Sequence, residues 1–232
     1  MRSFTFNGHN CNEYGIVCSG EATYDAPARD TTSVTIPGRN GELILDNGRF
    51  KNIVVTYPAF LRGMGTYAAA VRSWLLSPRG YKVLTDDYHP DEYRLGIYTG
   101  GISFDPTAWN HNAEVEISFN CKPQRFLVSG QTDVAQTNGG TIENPTFFDS
   151  LPLITVTGTG DGTISVGGQT VTLTGLTGGI VLDSDIQDAY YGSLSANSLM
   201  TGGFPVLHPG SNGVTWSGGI TAVSITPRWW RI

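Results

Sequence analysis

The stretch from Asp30 to Leu61 constrains the fold most strongly, because apolar and polar residues alternate along much of it. Side chains that alternate with period two lie on one face of a β-strand. A loop rich in glycine and proline, Pro37 to Gly41, interrupts the pattern, and glycine can adopt positive φ there. Asp46-Asn47-Gly48 adds a second turn signal. The stretch therefore predicts a β-meander with a constrained first loop.

One segment, YAAAVRSWLLS, favours an α-helix. Its apolar residues follow the spacing i, i+4, i+7 and i+8, and they are Tyr67, Val71, Trp74 and Leu75. This spacing places them on a single stripe, which we expect to pack against a sheet. Ser77-Pro78 should end the helix, because the residue before a proline is biased away from the α region.

Charge is distributed unevenly along the 232 residues. Twelve basic and thirteen acidic residues precede Val128, whereas the remainder contains two arginines, seven acidic residues and no lysine. This shift in composition predicts a boundary between two domains. We expect a first domain over residues 1–127, a linker or exposed loop over residues 128–140, and a second domain over residues 141–232.

The second half consists of short β-rich segments separated by turn residues: LITVTG, TISVGG, TVTLTG, GIVLD, GVTWSG and AVSITP. No helical stripe competes with them, and this spacing is typical of a β-sandwich. A charged content of 15% together with thirty glycines also favours an all-β protein with many turns. The predicted fold class is mostly β in two domains, the first with one packed helix.

Composition also excludes several classes of protein. A net charge of −6 argues against a nucleic-acid binder, which needs basic groups to neutralise phosphates. The N-terminus shows no apolar signal segment, and no apolar run approaches the roughly 20 residues needed to cross a bilayer. We therefore expect a soluble protein that is made in the cytoplasm and has no membrane partner.

Catalytic motifs are missing from the sequence. The histidines are scattered, and they are His9, His89, His111 and His208. Neither H-E-x-x-H nor G-x-S-x-G occurs, so no metalloprotease site and no nucleophile elbow is indicated. We predict no catalytic residues and a protein that is not an enzyme.

Two acidic segments raise the question of a metal. The turn from Asp86 to Glu92 contains His89, and Asp183 lies two residues before Asp185. Neither has the spacing of an EF-hand loop, and aspartate is equally common in solvated turns. The sequence therefore predicts no metal site.

A glycine-rich run, Gly158 to Gly162, resembles a phosphate-binding loop. Such a loop needs a following helix whose N-terminal N–H groups bind the anion. A strand pattern follows here, which favours a hairpin turn. We predict no cofactor.

The three cysteines show no C-x-x-C spacing. Cys121 shares a predicted strand face with Val115, Ile117 and Phe119, which indicates a buried thiol. Cys11 and Cys18 could form a disulfide, although a reducing compartment disfavours it.

Aromatic residues are frequent in the second half, and Trp216, Trp229 and Trp230 are candidate contact residues. Exposed on a concave sheet, such rings stack against sugars or peptides. The simpler interpretation is packing in a core or a subunit interface, where aromatic rings bury large areas. Trp229 and Trp230 are adjacent in a predicted strand and point to opposite faces. We therefore expect one of them to be covered by something other than the core of its own domain.

Several blocks occur in a recognisable order. They are an F-x-F-N-G opening before YGIV, the IPGRNG loop, NGRFKNIVVTY, a helix ending in W-L-x-S-P-x-G, YKVLTDDYHPDEYRLGIY, VEISFNCKPQRFL, and F-P-x-L-x-P-G-x-N from Phe204 to Asn212. In this order the chain resembles the distal tail proteins of siphophages, the siphovirus-type tail component family. The resemblance covers most of the chain.

The resemblance implies a specific architecture. The first domain would be a tail-tube-like β-sandwich with one packed helix, and six copies would form a ring around a channel that DNA passes through. The second domain would be a galectin-like β-sandwich that projects outward and docks receptor-binding proteins or side fibres. The length of the chain leaves no room for the carbohydrate-binding insertion of some relatives.

The resemblance also implies a function and partners. The chain would be a structural adaptor at the tail tip or baseplate of the virion, assembled in the bacterial cytoplasm. Its partners would be further copies of itself in a homo-hexamer, the tail-tube protein, the tape-measure protein, the tail-associated hub protein and a receptor-binding protein or side fibre. The alternative is a carbohydrate-binding adhesin that recognises the host cell surface through the second domain.

The constrained loop is the candidate subunit-interface site, and its residues are Pro37, Gly38, Arg39, Asn40 and Gly41. Proline and glycine shape the turn, which leaves Arg39 and Asn40 at its tip. These two side chains either contact a neighbouring subunit or lie in solvent at the end of a hairpin.

Overall fold

The structure, a computed structural model, describes residues 2–19, 25–107 and 111–232. The strands are β1 (Phe4–Phe6), β2 (His9–Asn10), β3 (Ile16–Cys18), β4 (Arg29–Thr35), β5 (Glu42–Phe50), β6 (Ile53–Arg62), β7 (Lys82–Asp86), β8 (Glu92–Ile97), β9 (Asp105–Thr107), β10 (Asn112–Cys121), β11 (Arg125–Leu127), β12 (Val134–Ala135), β13 (Gly140–Asn144), β14 (Leu153–Val166), β15 (Gln169–Asp183), β16 (Asp188–Tyr191), β17 (Leu194–Ser195), β18 (Met200–Thr201), β19 (Gly210–Thr226) and β20 (Trp230–Arg231). One α-helix, α1, spans Met64–Leu76, and short 3-10 helices span Cys11–Tyr14, Val128–Gln131 and Asn197–Leu199. The predominance of β-strands, together with one α-helix, confirms the predicted fold class, and the curled sheets fit β-sandwiches. Within the described residues, no helix has the length and apolar character required to cross a membrane.

The chain forms two compact units, Met1–Arg125 with Ile232, and Phe126–Arg231. Residues 128–140, which the sequence assigned to a linker or exposed loop, are mostly exposed in the structure. They include the 3-10 helix Val128–Gln131 and strand β12, which pairs with β19 of the second unit.

The first unit is built on a sheet with the strand order β2-β1-β7-β8-β10-β6-β3, in which β9 also pairs with β10. Its longest pairing joins β6 to β10, from Arg62 opposite Asn112 to Ile53 opposite Cys121. The alternation expected along β6 is confirmed, because the side chains at its odd positions, from Ile53 to Leu61, are buried. Cys121 is buried as predicted.

Aromatic rings fill the core of the first unit. The Phe4 ring stacks on Tyr57, with ring centroids 4.6 Å apart, and on Trp74 at 5.8 Å. Phe119 meets the Phe4 ring edge-on at 5.6 Å. The stripe predicted for α1 faces this core, since Val71, Trp74 and Leu75 are buried and Tyr67 packs at its margin. The indole N–H of Trp74 donates to the Phe6 carbonyl at 3.2 Å, so its polar atom is satisfied inside the core.

Strands β4 and β5 form a separate two-stranded sheet, so the predicted meander is wrong in this region. β5 pairs with β4 and not with β6. The expected second turn at Asp46-Asn47-Gly48 is also wrong, because these residues lie within β5. The Asp46 carboxylate accepts a hydrogen bond from the Gly48 N–H at 2.8 Å, and Gly48 has φ +70°. This local kink shifts the register with β4 without reversing the chain.

The second unit is an eight-stranded sheet with the order β12-β19-β14-β15-β16-β17, to which β13 adds on β19 and β18 on β15. Its three central strands are long, at 14 residues in β14, 15 in β15 and 17 in β19. The short segments seen in the sequence therefore join into long strands. Their apolar side chains, including Ile154, Leu173 and Val214, form a second buried core.

The hairpin turn expected at Gly158 to Gly162 is wrong, because β14 runs straight through these residues. The register with both β15 and β19 shifts there, which marks bulges. The backbones approach closely: a Cβ at Gly219 of β19 would lie 1.7 Å from the Thr159 carbonyl oxygen, and one at Gly158 would lie 2.4 Å from the Gly219 oxygen. Glycine is required here for close approach and not for chain reversal.

We predict that Gly219→Ala destabilises the second unit by about 2–4 kcal/mol, because the added methyl group cannot fit without moving the β14 backbone. Gly213→Ala is the matched control in the same strand, where a Cβ meets nothing within 4 Å. Denaturant unfolding of both variants measures the difference. Equal stability of the two would show that the bulge does not depend on the missing side chain.

Candidate interaction surfaces

The predicted interface loop, Pro37 to Gly41, lies at the tip of the β4–β5 hairpin, and all of its residues are exposed. The Arg39 N–H donates to the Ile36 carbonyl at 3.2 Å, which closes the turn. Gly38 and Gly41 have φ of +79° and +80°, the left-handed region that favours glycine. The structure therefore brings the five predicted residues together at one exposed point.

The body of the same hairpin exposes apolar side chains: Val34, Leu43, Ile44 and Leu45. Ile44 is 65% exposed, and it points to the opposite face from Leu43 and Leu45 because neighbouring residues alternate. Both faces of the hairpin are thus partly apolar and open to solvent. A lone two-stranded hairpin is marginally stable in water, and its outer edges carry unpaired backbone groups. This surface is the strongest candidate for a contact with another protein chain.

Charged groups hold the base of the hairpin. Arg49 donates to the Asp30 carboxylate at 2.7 Å, and Arg29 approaches Asp46 at 3.3 Å. The hydrogen bond from Arg49 lowers the pKa of Asp30. The Arg29 guanidinium also lies over the Phe50 ring, 4.8 Å from its centroid. These contacts are exposed, so they orient the base of the hairpin more than they stabilise it.

The three predicted tryptophans are not brought to one surface. Trp216 pairs with Ile164 near one end of β14, whereas Trp229 and Trp230 follow the far end of β19. Trp216 is partly buried against the second core, and Asn138 hydrogen-bonds both its N–H and its carbonyl. Trp229 lies in that core and is 6% exposed.

Trp230 is covered by a loop of its own unit. Its ring stacks on Phe148, with centroids 4.4 Å apart and planes 22° apart, and its indole N–H donates to the Asp149 carbonyl at 2.8 Å. Of the two adjacent tryptophans, Trp230 is therefore the one outside the core, and Phe148 covers it.

The acidic turn that invited a metal hypothesis is organised by hydrogen bonds to Asp86. This carboxylate accepts from the Tyr57 hydroxyl at 2.6 Å, from the backbone N–H of Tyr88 at 3.0 Å and from that of His89 at 2.8 Å. His89 Nδ1 lies 3.1 Å from the same carboxylate. Burial, followed by the Asp86 charge, raises the pKa of Tyr57. Across residues 2–19, 25–107 and 111–232, no group of three or more His, Cys, Asp or Glu side chains is arranged to hold a metal ion.

The second acidic pair behaves in the same way. Both terminal guanidinium nitrogens of Arg228 donate to the Asp183 carboxylate, at 2.7 and 2.9 Å, and the backbone N–H of Asp185 adds a third hydrogen bond at 3.0 Å. Arg228 lowers the pKa of Asp183, and Asp183 raises that of Arg228. Arg228 has φ +57°, which is unusual for a residue with a side chain. The Asp183 carboxylate therefore forms a structural ion pair with Arg228.

The cysteines are free and buried. A hydrogen bond joins the Cys11 and Cys18 thiols, and it lowers the pKa of Cys11 while it raises that of Cys18. Burial raises the pKa of Cys121 to about 12. These thiols belong to the core of the first unit.

Phe147 was missed by sequence reasoning. It is 94% exposed, although Phe148 beside it is stacked on Trp230. Its neighbours Asn144-Pro145-Thr146 signal a loop, but nothing local distinguishes the two phenylalanines.

A scan against protein-family models finds no match, and a search of curated proteins finds no relative. The search of solved structures does find similar folds. The chain superimposes on the Dit (gp 19.1) protein of phage SPP1 with a TM-score of 0.77 and 13% identity, covering 100% of both chains. That protein is described as a paradigm of the hub adsorption apparatus of phages that infect Gram-positive bacteria.

Two further similar chains come from the baseplate of phage p2 in its activated conformation. The form with Sr matches with a TM-score of 0.53 and 8% identity over 100% of this chain and 98% of the other. The form with Ca matches with a TM-score of 0.51 and 8% identity over 97% of each. The resemblance predicted from the order of the sequence blocks is thus confirmed in the fold.

The Arg228–Asp183 ion pair generates a pH prediction. The folded-state pKa of Asp183 is lowered, so the stabilisation by the pair is fully present above the ordinary carboxyl pKa of about 4, and it is lost as the pH falls from there through the lowered folded-state pKa. We expect Asp183→Asn to cost roughly 1–3 kcal/mol at pH 7, since it leaves Arg228 without its charge partner.

The difference in unfolding free energy between wild type and Asp183→Asn should shrink between about pH 5 and pH 2. Glu143→Gln is the control, because Glu143 is an exposed carboxylate of the same unit and takes no part in the pair. Denaturant titrations at several pH values make the comparison. A constant difference over that range would contradict the assignment.

Proposed function

We propose that the chain is a structural component of the tip of a siphophage tail, a ring-forming adaptor between the tail tube and the host-adsorption hub. The observation that carries the proposal is the match in fold with the SPP1 Dit protein over the full length of both chains. The structural match agrees with the family suggested independently by the order of the sequence blocks. Virion location at the tail tip and assembly in the host cytoplasm follow from this proposal.

The β4–β5 hairpin supports assembly into a ring. Subunits in a closed ring use two different surface patches, one facing each neighbour. The hairpin offers a first patch, with exposed Val34, Leu43 and Ile44 and an arginine at its tip. A neighbour that covers these side chains removes them from water, and each square ångström of apolar surface buried contributes about 25 cal/mol.

The outer face of the first sheet offers a complementary patch. Val54 and Phe60 on β6 and Val83 on β7 are exposed, whereas the side chains on the opposite face of the same two strands include buried ones. Exposed apolar residues on both the hairpin and the sheet fit a head-to-tail contact in which the hairpin of one copy lies on the sheet of the next. The number of copies, six, comes from the resemblance.

Charge supports a channel that DNA passes through without being held. The chain has a net charge of −6, and its sequence contains no basic stripe. A channel wall without such a stripe cannot hold DNA by neutralising phosphate and releasing its counterions. We place the tail-tube, tape-measure and hub proteins as partners of the ring, and receptor-binding proteins or side fibres as partners of the galectin-like second unit.

A non-enzymatic role fits the polar groups described above. Asp86, Asp183 and Arg228 are engaged in hydrogen bonds that build turns and ion pairs. The alternative function, a carbohydrate-binding adhesin, has less support. Trp229 is buried in a core, Trp216 is partly buried against that core, and Phe148 covers one face of Trp230, so none of the three presents a fully open ring for sugar stacking.

Mass measurement of the purified chain tests the ring. We expect a species of six times the 24.9 kDa chain mass, and Ile44→Ser should shift it toward the monomer, because it removes an apolar side chain from the proposed contact. Leu194→Ser in the second unit is the matched control, since Leu194 is 72% exposed and lies outside the hairpin. A wild-type monomer at high concentration, or equal assembly of the two variants, would oppose the ring proposal.

The glycines at the hairpin tip give a second test. Valine at Gly38 or Gly41 must adopt positive φ, which costs on the order of 1–3 kcal/mol. Since β4 and β5 pair with each other and not with the main sheet, we expect this cost to leave the melting temperature of the subunit nearly unchanged. It should instead raise the concentration needed for assembly by roughly tenfold.

Gly203→Val is the control for the glycine test, because that residue of the second unit is also exposed, its φ is not positive and a Cβ there meets nothing within 4 Å. Calorimetry and sedimentation of the same samples separate stability from assembly. A large fall in melting temperature without loss of assembly would show that the hairpin belongs to the folding core and not to the contact.

A further inference from the structure

The loop between β13 and β14 is built on buried polar side chains. Asn144 is 3% exposed, and its amide donates to the carbonyls of Phe148 at 2.9 Å and Leu207 at 3.1 Å. Its side-chain oxygen accepts from the N–H and the hydroxyl of Thr146, at 3.0 and 2.8 Å. One side chain thus fixes the loop on both sides of Phe147.

The far end of the loop is fixed as well. Ser150 is fully buried, its N–H donates to the Leu207 carbonyl at 2.9 Å, and its hydroxyl donates to the Pro227 carbonyl. The ring of Phe148 stacks on Trp230. Phe147 is therefore held in place by its neighbours while its own ring is 94% exposed. A rigid loop that presents an aromatic ring has already lost the conformational entropy that binding would otherwise cost.

Other apolar side chains lie at the same end of the unit. Leu153 is opposite Asp183 in the β14–β15 pairing, and the Ser184 N–H donates to the Pro152 carbonyl at 3.1 Å. This register puts Leu151 and Ile186, which follow the paired residues outward, at one end of these two strands. They are 39% and 62% exposed. We call Phe147, Leu151 and Ile186 the Phe147 patch.

Two exposed acidic side chains lie beside the Phe147 patch. Asp149 lies two residues from both Phe147 and Leu151, Asp185 is next to Ile186, and both acidic residues are exposed. Asp149 lies 2.9 Å from His208 Nδ1. Of the two arginines in the second unit, Arg228 binds Asp183 through both terminal guanidinium nitrogens and Arg231 is exposed beside Trp230, and the unit contains no lysine. A second copy of the chain would bring the same acidic rim against this one, so like charges oppose self-association here.

We propose that the Phe147 patch docks a second tail protein that has an apolar pocket for the Phe147 ring and a rim of lysine or arginine side chains. Aromatic anchors in a pocket dominate interface energetics, and complementary charges at the rim raise the association rate. This inference rests on the proposed function and names the surface and the chemistry of one of its partners.

The test uses tails of the phage or prophage that encodes the chain. A photo-crosslinking phenylalanine, p-benzoylphenylalanine, replaces Phe147 in one preparation and Leu194 in the control. We expect irradiation to join position 147 to a second tail protein, at a segment with lysine or arginine beside it, and position 194 to give no such product.

The outcomes separate this inference from the proposed function. A chain that is missing from purified tails refutes the proposed function. A chain that is present but gives no crosslink from position 147, a crosslink to another copy of itself, or the same crosslink from position 194 overturns the Phe147 patch alone.

Binding of the purified crosslinked protein to the full chain completes the test. Phe147→Ser should weaken this binding at least about tenfold, whereas Leu194→Ser leaves it within twofold. Asp185→Lys should slow association, and the effect should fall as salt is added. Equal affinities for Phe147→Ser and Leu194→Ser, or an association rate unaffected by Asp185→Lys, would overturn the proposal. The exposure of all three side chains makes misfolding a poor explanation for either result.

Discussion

The pairing of β6 with β10 is the interaction on which the first unit depends. Ten residue pairs join the two strands, and the inward side chains include Tyr57 on β6 and Phe119 on β10. β3 attaches to β6, while β8 and β9 attach to β10, and the aromatic core beneath them receives Trp74 from α1. A slip of one residue in this pairing would turn the apolar face of a strand to solvent. The register of one strand pair therefore determines where the outward face of the sheet presents its exposed side chains.

The alternation of apolar and polar residues correctly predicted the buried side chains of β6 and β10, because the apolar face of each strand packs against the core. It was a poor guide for the β4–β5 hairpin, where Leu43 and Leu45 share one face of β5 and still remain exposed. A period of two in the sequence indicates that a segment is extended. Whether another layer of the protein covers its apolar face depends on the tertiary structure. The glycines at 158–162 failed as a turn signal for a related reason. These glycines are required by the close approach of the β19 backbone, which lies about sixty residues away in the sequence. No local pattern therefore distinguishes a bulge from a turn.

The candidate surfaces were predictable to different degrees. The loop from Pro37 to Gly41 was located at a hairpin tip because proline and positive-φ glycines act locally. Phe147 and Phe148 could not be separated, because Phe148 is stacked on Trp230 and Phe147 is not covered. The same limitation affects the acidic residues. Asp183 looks like a metal ligand until Arg228, forty-five residues later, is found on its carboxylate.

The hairpin and the Phe147 patch are supported in different ways, and this difference fits two kinds of contact. The hairpin is held by its own pairing and by exposed charged groups at its base, so a partner that fixes it must offset a conformational entropy of about 1–2 kcal/mol per ordered backbone residue. A closed ring, in which every copy both covers a hairpin and contributes one, can offset that cost through the area it buries. The loop that carries Phe147 is already ordered by Asn144 and Ser150, whose polar groups are satisfied within the unit. A small contact can form there with little ordering, which suits a partner that is added to an existing assembly.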